Sequence, residues 1–116
     1  MDYTLSNDQS LLAYSVAIQQ QQLRDTFENK TLHGEYGGVF KITPEFLVFL
    51  QFLISHNRIE NIPIIDVNGN PVLVQNIVKF KDTVTDKYFT ALYEFHNQYN
   101  EVKKCRTLEK LSKFNE

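Results

Sequence analysis

The sequence predicts an α+β fold that is mostly α, with about three helices, one of them long and C-terminal, and one small β-hairpin. Three observations support this prediction. Apolar residues recur at helical spacing near both ends, a Thr-Pro-Glu helix start precedes the apolar run "FLVFLQFLI", and "IIDVNGNPVLV" places Asn68-Gly69 between two β-branched segments. With 116 residues, 42% of them hydrophobic, residues 1–116 are predicted to form a single globular domain.

The first element is a predicted N-terminal helix over residues 8–30. Ser6 and Gln9 have the spacing of a capping box, in which each side chain meets an otherwise unpaired backbone donor. Apolar residues follow at helical intervals, at Leu11, Leu12, Tyr14, Ile18, Leu23 and Phe27. The run Gln19–Gln22 weakens this stripe, and we interpret it as a solvated helix face rather than a contact with another chain.

A glycine-rich turn over residues 33–42 is predicted next. Gly34, Gly37 and Gly38 interrupt any helix, and the residues that follow them form a short extended segment. A phosphate-binding loop requires a Gly-Lys-Ser/Thr sequence, which this stretch lacks. The turn is therefore the better interpretation.

A buried helix is predicted over residues 44–57. Thr43 suits the N-cap, Pro44 the first helical position, and Glu45 faces the positive helix end. Apolar side chains then point in almost every direction around the axis, at Phe46, Leu47, Val48, Phe49, Leu50, Phe52, Leu53 and Ile54. A helix that is apolar all round must be buried on several sides. Either the domain wraps it completely, or another chain covers one face.

A β-hairpin is predicted over residues 62–75, with a two-residue turn at Asn68-Gly69. Asp66, Asn68 and Asn70 also have the 1-3-5 spacing of a calcium loop, so a metal site is the alternative interpretation. A calcium loop needs glycine at position 6 and a bidentate carboxylate at position 12, but this sequence has Pro71 and Ile77 there. The sequence therefore favours the hairpin.

The last element is a long C-terminal helix over residues 77–112. One continuous apolar stripe advances in steps of four and three, at Val84, Tyr88, Ala91, Phe95, Tyr99 and Val102. Phe89, Tyr93 and His96 lie off this stripe. Together they provide more apolar surface than one small hairpin and two helices readily cover.

Candidate catalytic and metal-binding groups are weak, so we predict no enzyme activity, no catalytic residues, no metal site and no cofactor. His33, His56 and His96 are widely spaced and have no HExxH or CxxC pattern near them. Cys105 is the single cysteine, so no internal disulfide is expected, and no histidine lies near it in sequence to act as a base.

The charge distribution leaves a nucleic-acid hypothesis open. Residues 1–75 carry 8 acids and 4 bases, whereas residues 76–116 carry 6 acids and 8 bases, so the net charge is −4 in the first part and +2 in the second. The basic residues near the end are Lys103, Lys104, Arg106, Lys110 and Lys113. They could neutralise phosphates, but they also complement the negative end of a helix dipole. The overall net charge of −2 favours the second interpretation.

Membrane insertion is not expected. The densest apolar run, Phe46–Ile54, is interrupted by Gln51 and is too short to cross a bilayer, and the N-terminus lacks the basic and apolar regions of a signal peptide.

A resemblance extends over about residues 38–111. The order "FKITPEFLVFLQFLISH", "IPIIDVNGNPVLV" and "YFTALYEFHNQYNEVKKCRTLEKL" resembles small virion or assembly proteins of contractile-tailed bacteriophages. The resemblance implies a structural or assembly role in a tail, baseplate or head-to-tail junction, and hence a virion protein made in the host cytoplasm. A non-viral source would imply a cytoplasmic protein. The resemblance supplies no catalytic residues to transfer.

Two functional hypotheses follow. The favoured one is a non-enzymatic structural or assembly protein that contacts other protein subunits, either copies of itself or different chains. Its candidate interface residues are Phe46, Phe49, Phe52, Leu53, Phe89 and Tyr93. The alternative is a small nucleic-acid-associated regulator that uses the basic C-terminal helix.

Overall fold

A computed structural model describes the backbone of residues 2–114 and the side chains of residues 13–104. The elements in chain order are α1 (Asp2–Lys30), β1 (Leu32–Glu35), β2 (Gly38–Lys41), α2 (Pro44–Ser55), β3 (Glu60–Ile65), β4 (Pro71–Asn76) and α3 (Ile77–Phe114). The predicted class, α+β and mostly α with a long C-terminal helix, is confirmed. The described chain contains two small antiparallel hairpins, β1–β2 and β3–β4, where the sequence predicted one.

The chain divides into two compact units. Unit 1 comprises Met1–Phe27 and Tyr93–Glu116, and therefore most of α1 with the C-terminal part of α3. Unit 2 comprises Glu28–Leu92, which includes both hairpins, α2 and the first part of α3.

The core of unit 2 draws on both hairpins and on two helices. Its buried apolar residues are Phe40, Ile42, Leu50, Leu53, Ile64, Val74, Ile77, Phe80 and Val84. Phe80 of α3 lies at the centre of an aromatic group, because its ring meets Phe40 edge-on at 5.1 Å and Phe46 at 6.1 Å. Edge-to-face aromatic pairs stabilise a core beyond their buried area.

The first hairpin turns at Tyr36-Gly37. Both residues have positive φ, 56° and 79°, which is the conformation of a two-residue type I′ turn. The preceding segment, predicted only as part of a turn, is a strand because Leu32–Glu35 pairs in register with Gly38–Lys41. Gly38 is required by packing, since a Cβ atom there would lie 2.6 Å from Cγ2 of Val72 in the other hairpin.

Lys41 links the first hairpin to the end of α1 through hydrogen bonds and an ion pair. Its ammonium group donates to the carbonyl oxygen of Glu28 at 2.9 Å and pairs with the Glu28 carboxylate at 2.6 Å. It also donates to the hydroxyl of Thr31, which is fully buried. A cation at the last carbonyls of a helix satisfies acceptors that have no partner within the helix.

The second hairpin has a longer connection than predicted. The turn at Asn68-Gly69 is not a two-residue type I′ turn, because only Gly69 has positive φ, at 78°. The Asp66 N–H donates to the Asn70 carbonyl at 2.9 Å, and the Gly69 N–H donates back to the Asp66 carbonyl at 3.0 Å. This pattern is typical of a three-residue loop with glycine in the left-handed region.

The helix starts agree with capping chemistry in two cases and not in the third. The Phe46 N–H donates to Thr43 Oγ1 at 3.0 Å, as predicted for the N-cap of α2. The Lys79 N–H donates to Asn76 Oδ1 at 3.0 Å at the start of α3. Ser6 lies inside α1, which begins at Asp2, so the predicted capping box at Ser6 is wrong.

Unit 1 pairs α1 with the end of α3. The rings of Phe27 in α1 and Phe95 in α3 are in contact, with centroids 5.1 Å apart. Val16, which precedes Phe27 in α1, is also buried. Gln21 hydrogen-bonds Asp25 and Arg24 on the surface of α1, which agrees with a solvated glutamine run.

Candidate interaction surface

The two faces of α2 have different environments. Leu50 is completely buried and Leu53 nearly so, and both contact the core of unit 2. On the opposite face, Val48 is 69% exposed, Phe52 54% and Phe49 43%. At 3.6 residues per turn, these three residues form one continuous apolar patch. We call Val48, Phe49 and Phe52 the outer face of α2.

The predicted interface residues of α2 are divided between these faces. Phe49 and Phe52 belong to the outer face. Phe46 is half-buried and packs its ring against Phe40, with centroids 6.0 Å apart, and Leu53 is a core residue. The sequence placed Phe46 and Leu53 with the others because it could not show which side of an all-apolar helix meets the domain. Val48, the most exposed of the outer face, was not among the predicted interface residues.

A glutamate and a histidine lie at the two ends of the outer face. Glu45 lies in the first turn and is exposed. His56 follows the last turn, and its ring lies over Phe52 with centroids 4.1 Å apart. Its Nδ1 is 2.9 Å from the Phe52 carbonyl oxygen. Because a carbonyl oxygen only accepts, Nδ1 carries a proton, and Nε2 is the ring nitrogen available to a partner.

The off-stripe aromatic residues of α3 are also exposed. Phe89 belongs to unit 2 and is 45% exposed, and Tyr93 belongs to unit 1 and is 65% exposed. Phe89 meets Tyr88 edge-on with centroids 5.8 Å apart. Each adds apolar surface to its own unit.

A second apolar surface in unit 2 was not predicted. It lies on the side of the β3–β4 hairpin that faces away from the core, where Pro63 pairs with Leu73 and Ile65 with Pro71. All four residues are exposed, whereas their neighbours Ile64 and Val74 are buried. The alternation along "IPII" and "PVLV" was the available signal, but apolar residues at both alternate sets of positions obscured it.

Asp66 joins the two hairpins through backbone donors. One carboxylate oxygen accepts from the N–H groups of Asn68 and Asn70, each at 3.0 Å. The other accepts from the Val39 N–H at 3.3 Å, and the Val67 N–H donates to the Val39 carbonyl at 2.9 Å. One carboxylate oxygen therefore stabilises the loop, and the other accepts a hydrogen bond from the first hairpin.

The electrostatics of Asp66 follow from these donors. The hydrogen bond from Asn70 lowers the pKa of Asp66 below its usual value of 3.8, and those from Val39 and Asn68 act in the same direction. Burial of the carboxylate opposes this effect by raising the pKa. The net direction is downward, so Asp66 is ionised at neutral pH and is a structural acceptor.

The histidines occupy separate places. His33 of β1 lies between Glu35, 2.7 Å from its Nε2, and Lys87 of α3, 3.4 Å from its Nδ1. His56 follows α2, and His96 lies on α3 with its Nε2 3.4 Å from the Asn100 amide. Within residues 13–104, no three metal-ligating side chains are gathered in one place.

The predicted basic site is only partly within the described residues. Lys103 and Lys104 are exposed on α3. Arg106, Lys110 and Lys113 also fall within α3, but their side chains lie outside the described residues, as does that of Cys105.

None of the described helices combines the length and apolar character needed to cross a membrane. The chain matches no protein-family model, and comparison with curated proteins and with solved structures gives no match.

Proposed function

We propose that this chain is a non-enzymatic structural or assembly subunit that acts through contacts with other protein subunits. The observation that carries this proposal is the outer face of α2, where three large apolar side chains remain 43–69% exposed on one side of a 12-residue helix. Contiguous exposed apolar surface of this kind is typical of protein–protein contacts.

The energetics support a contact of modest strength. Fully burying a valine or phenylalanine side chain contributes about 1.5–3 kcal/mol. Because the outer-face residues are already about half buried, covering them completely contributes roughly 3 kcal/mol per subunit. Because the partner's surface is covered as well, the contact gains roughly 6 kcal/mol in total, which is near the lower end of the cost of association, about 4–15 kcal/mol. The outer face must therefore act together with flanking residues or with a second surface.

The biological setting is part of the same proposal. The resemblance to small virion and assembly proteins of contractile-tailed bacteriophages supports a tail, baseplate or head-to-tail junction as the place where such a subunit works. Repeated contacts between small subunits build those particles, and an exposed apolar helix face suits that role.

Light scattering of the purified chain over a concentration series tests the proposal. We expect the average mass to increase with concentration toward a defined oligomer. The double variant V48E/F52E should remain monomeric, because each carboxylate would have to be desolvated in the contact. Y14E is the matched control, since Tyr14 is 67% exposed on α1 and lies outside unit 2.

Two results would count against the proposal. If the wild-type chain is monomeric at every concentration, self-assembly is excluded. If V48E/F52E and Y14E associate as the wild type does, the outer face of α2 is not the contact. Salt-dependent binding of a duplex oligonucleotide by such a monomer, lost on removing residues 103–116, would instead support the nucleic-acid hypothesis.

A further inference from the structure

We propose that Asn68 is a site of spontaneous deamidation, and that the hydrogen bonds of Asp66 slow this reaction in the folded chain. Asn68 is the only asparagine in the sequence that is followed by glycine. Both Asn68 and Gly69 are exposed in the loop between β3 and β4. The loop is therefore a modification site whose co-reactant is water, and this inference does not depend on the proposed assembly role.

The reaction joins two neighbouring groups of the loop. The backbone nitrogen of Gly69 loses its proton to hydroxide and attacks Cγ of Asn68. A bond forms between these two atoms, the bond from Cγ to the side-chain nitrogen breaks, and that nitrogen leaves as ammonia after taking a proton from water. Water then opens the five-membered succinimide ring at either of its carbonyl groups, which gives aspartate or isoaspartate.

Gly69 leaves the attacking nitrogen sterically open. A side chain on the residue after asparagine hinders the approach of its backbone nitrogen to Cγ, and glycine has none. A Cβ atom placed on Gly69 would meet nothing within 4 Å apart from its chain neighbours, so no other group covers this position. Asn70, in contrast, precedes Pro71, whose nitrogen carries no proton and cannot close the same ring. The loop thus contains one reactive asparagine and one inert one.

Hydrogen bonds of the folded loop oppose the attack. The Gly69 N–H, which must lose its proton, donates to the Asp66 carbonyl at 3.0 Å. The Asp66 carboxylate accepts from the N–H groups of Asn68 and Asn70, each at 3.0 Å. Because these bonds fix the backbone on both sides of the reacting atoms, the ring closes only when the loop opens locally. The negative carboxylate also disfavours the anionic nitrogen that carries out the attack.

Deamidation should weaken the link between the two hairpins. Both products carry a new carboxylate close to that of Asp66, and isoaspartate also adds one carbon to the backbone of the loop. The longer backbone displaces the Asn70 N–H from Asp66, whose other oxygen accepts from Val39 of the first hairpin at 3.3 Å. We expect the deamidated chain to have a lower Tm than the fresh chain. N68Q is the control, because its side chain would have to close a less favourable six-membered ring.

Peptide mass spectrometry after incubation of the full chain in mildly alkaline buffer tests the proposal. Asn68 should deamidate before any other asparagine, and about tenfold more slowly in the folded chain than in the same chain unfolded in urea. D66A should deamidate at Asn68 about tenfold faster than the folded wild type, as estimated from the loss of two loop hydrogen bonds. D66N should show a smaller increase, because its amide oxygen can still accept from the loop.

L50A separates local opening of the loop from unfolding of the whole chain. It removes a completely buried side chain but none of the loop hydrogen bonds, so L50A should deamidate at the wild-type rate while circular dichroism shows that it is folded. If D66A does not fold, hydrogen exchange of the Gly69 N–H in the wild type replaces it. That exchange should be about tenfold slower than in an unprotected amide.

Three results would overturn the proposal. If another asparagine deamidates before Asn68 in the chain unfolded in urea, Asn68 is not the preferred site. If the folded and unfolded chains react at equal rates, or the Gly69 N–H exchanges without protection, the loop does not slow the reaction. If L50A accelerates deamidation as much as D66A, global unfolding controls the rate and Asp66 has no specific part in it.

Discussion

The inner and outer faces of α2 are both apolar, but only the inner face takes part in the core. Leu50 is fully buried by residues of both hairpins and α3, whereas Val48 on the other side of the helix is mostly exposed. The difference shows that the fold of unit 2 uses one side of α2 and leaves the other available. Substitutions on the two faces should therefore separate stability from association.

The largest effect is expected on the inner face. L50A removes a completely buried side chain and leaves a cavity, so the free energy of unfolding should decrease by about 2–5 kcal/mol. V48A is the matched control on the outer face and should change it by no more than about 0.5 kcal/mol. Urea denaturation at low protein concentration measures both. Equal losses would show that the outer face is also packed within the chain.

Asp66 provides a second test of the inner face of α2, because it links the two hairpins against which that face packs. In D66N the amide oxygen can still accept from Asn68 and Asn70, but the amide nitrogen cannot accept from the Val39 N–H. The Tm of D66N should therefore be below that of the wild type at neutral pH, and that of D66A lower again. D82N, which changes an exposed aspartate of α3, is the control.

The pH dependence of this effect has a definite sign. The pKa of Asp66 is lowered on folding, so its contribution is complete above the unfolded value near 3.8 and is lost as the pH falls through the lower folded value. The difference in Tm between the wild type and D66N should shrink as the pH is lowered from 5 to 2. A difference that stays constant over this range would show that the charge of Asp66 is not what stabilises the link.

The sequence predicted the elements of unit 2 better than their contacts. Capping by Thr43 and the β-branched segments around Asn68-Gly69 were sufficient to locate α2 and the second hairpin. The type I′ turn was expected at Asn68-Gly69 but forms at Tyr36-Gly37. Local propensity did not decide between these turns. The Asp66 carboxylate accepts from the N–H groups of Asn68 and Asn70 and so fixes the longer loop, whereas the ladder of the first hairpin closes directly around Tyr36-Gly37.

The exposed side of α2 was unpredictable for a related reason. Periodicity identifies the buried side of a helix only when the other side is polar, and the sequence from Phe46 to Ile54 contains a single polar residue, Gln51. The same lack of contrast concealed the exposed side of the β3–β4 hairpin. The face of α2 that is open to another chain is determined by how much of the helix the rest of the chain covers, and this follows from the fold rather than from the residues of α2.

The finest test compares one substitution in two environments. V48T and V84T both replace valine by threonine within a helix, so their intrinsic helix propensities change by similar amounts. Val84 is completely buried, and its new hydroxyl should cost about 1–3 kcal/mol, toward the lower end because the carbonyl one turn earlier is an available acceptor. At Val48 the hydroxyl faces solvent, so the monomer should change by less than about 0.5 kcal/mol. Thermal unfolding at low concentration measures this difference.

Repeating the measurement at a protein concentration where the chain associates should reveal a cost for V48T as well, since its hydroxyl is then desolvated by the partner. A V48T cost that does not depend on protein concentration would show that Val48 is not covered in the assembly.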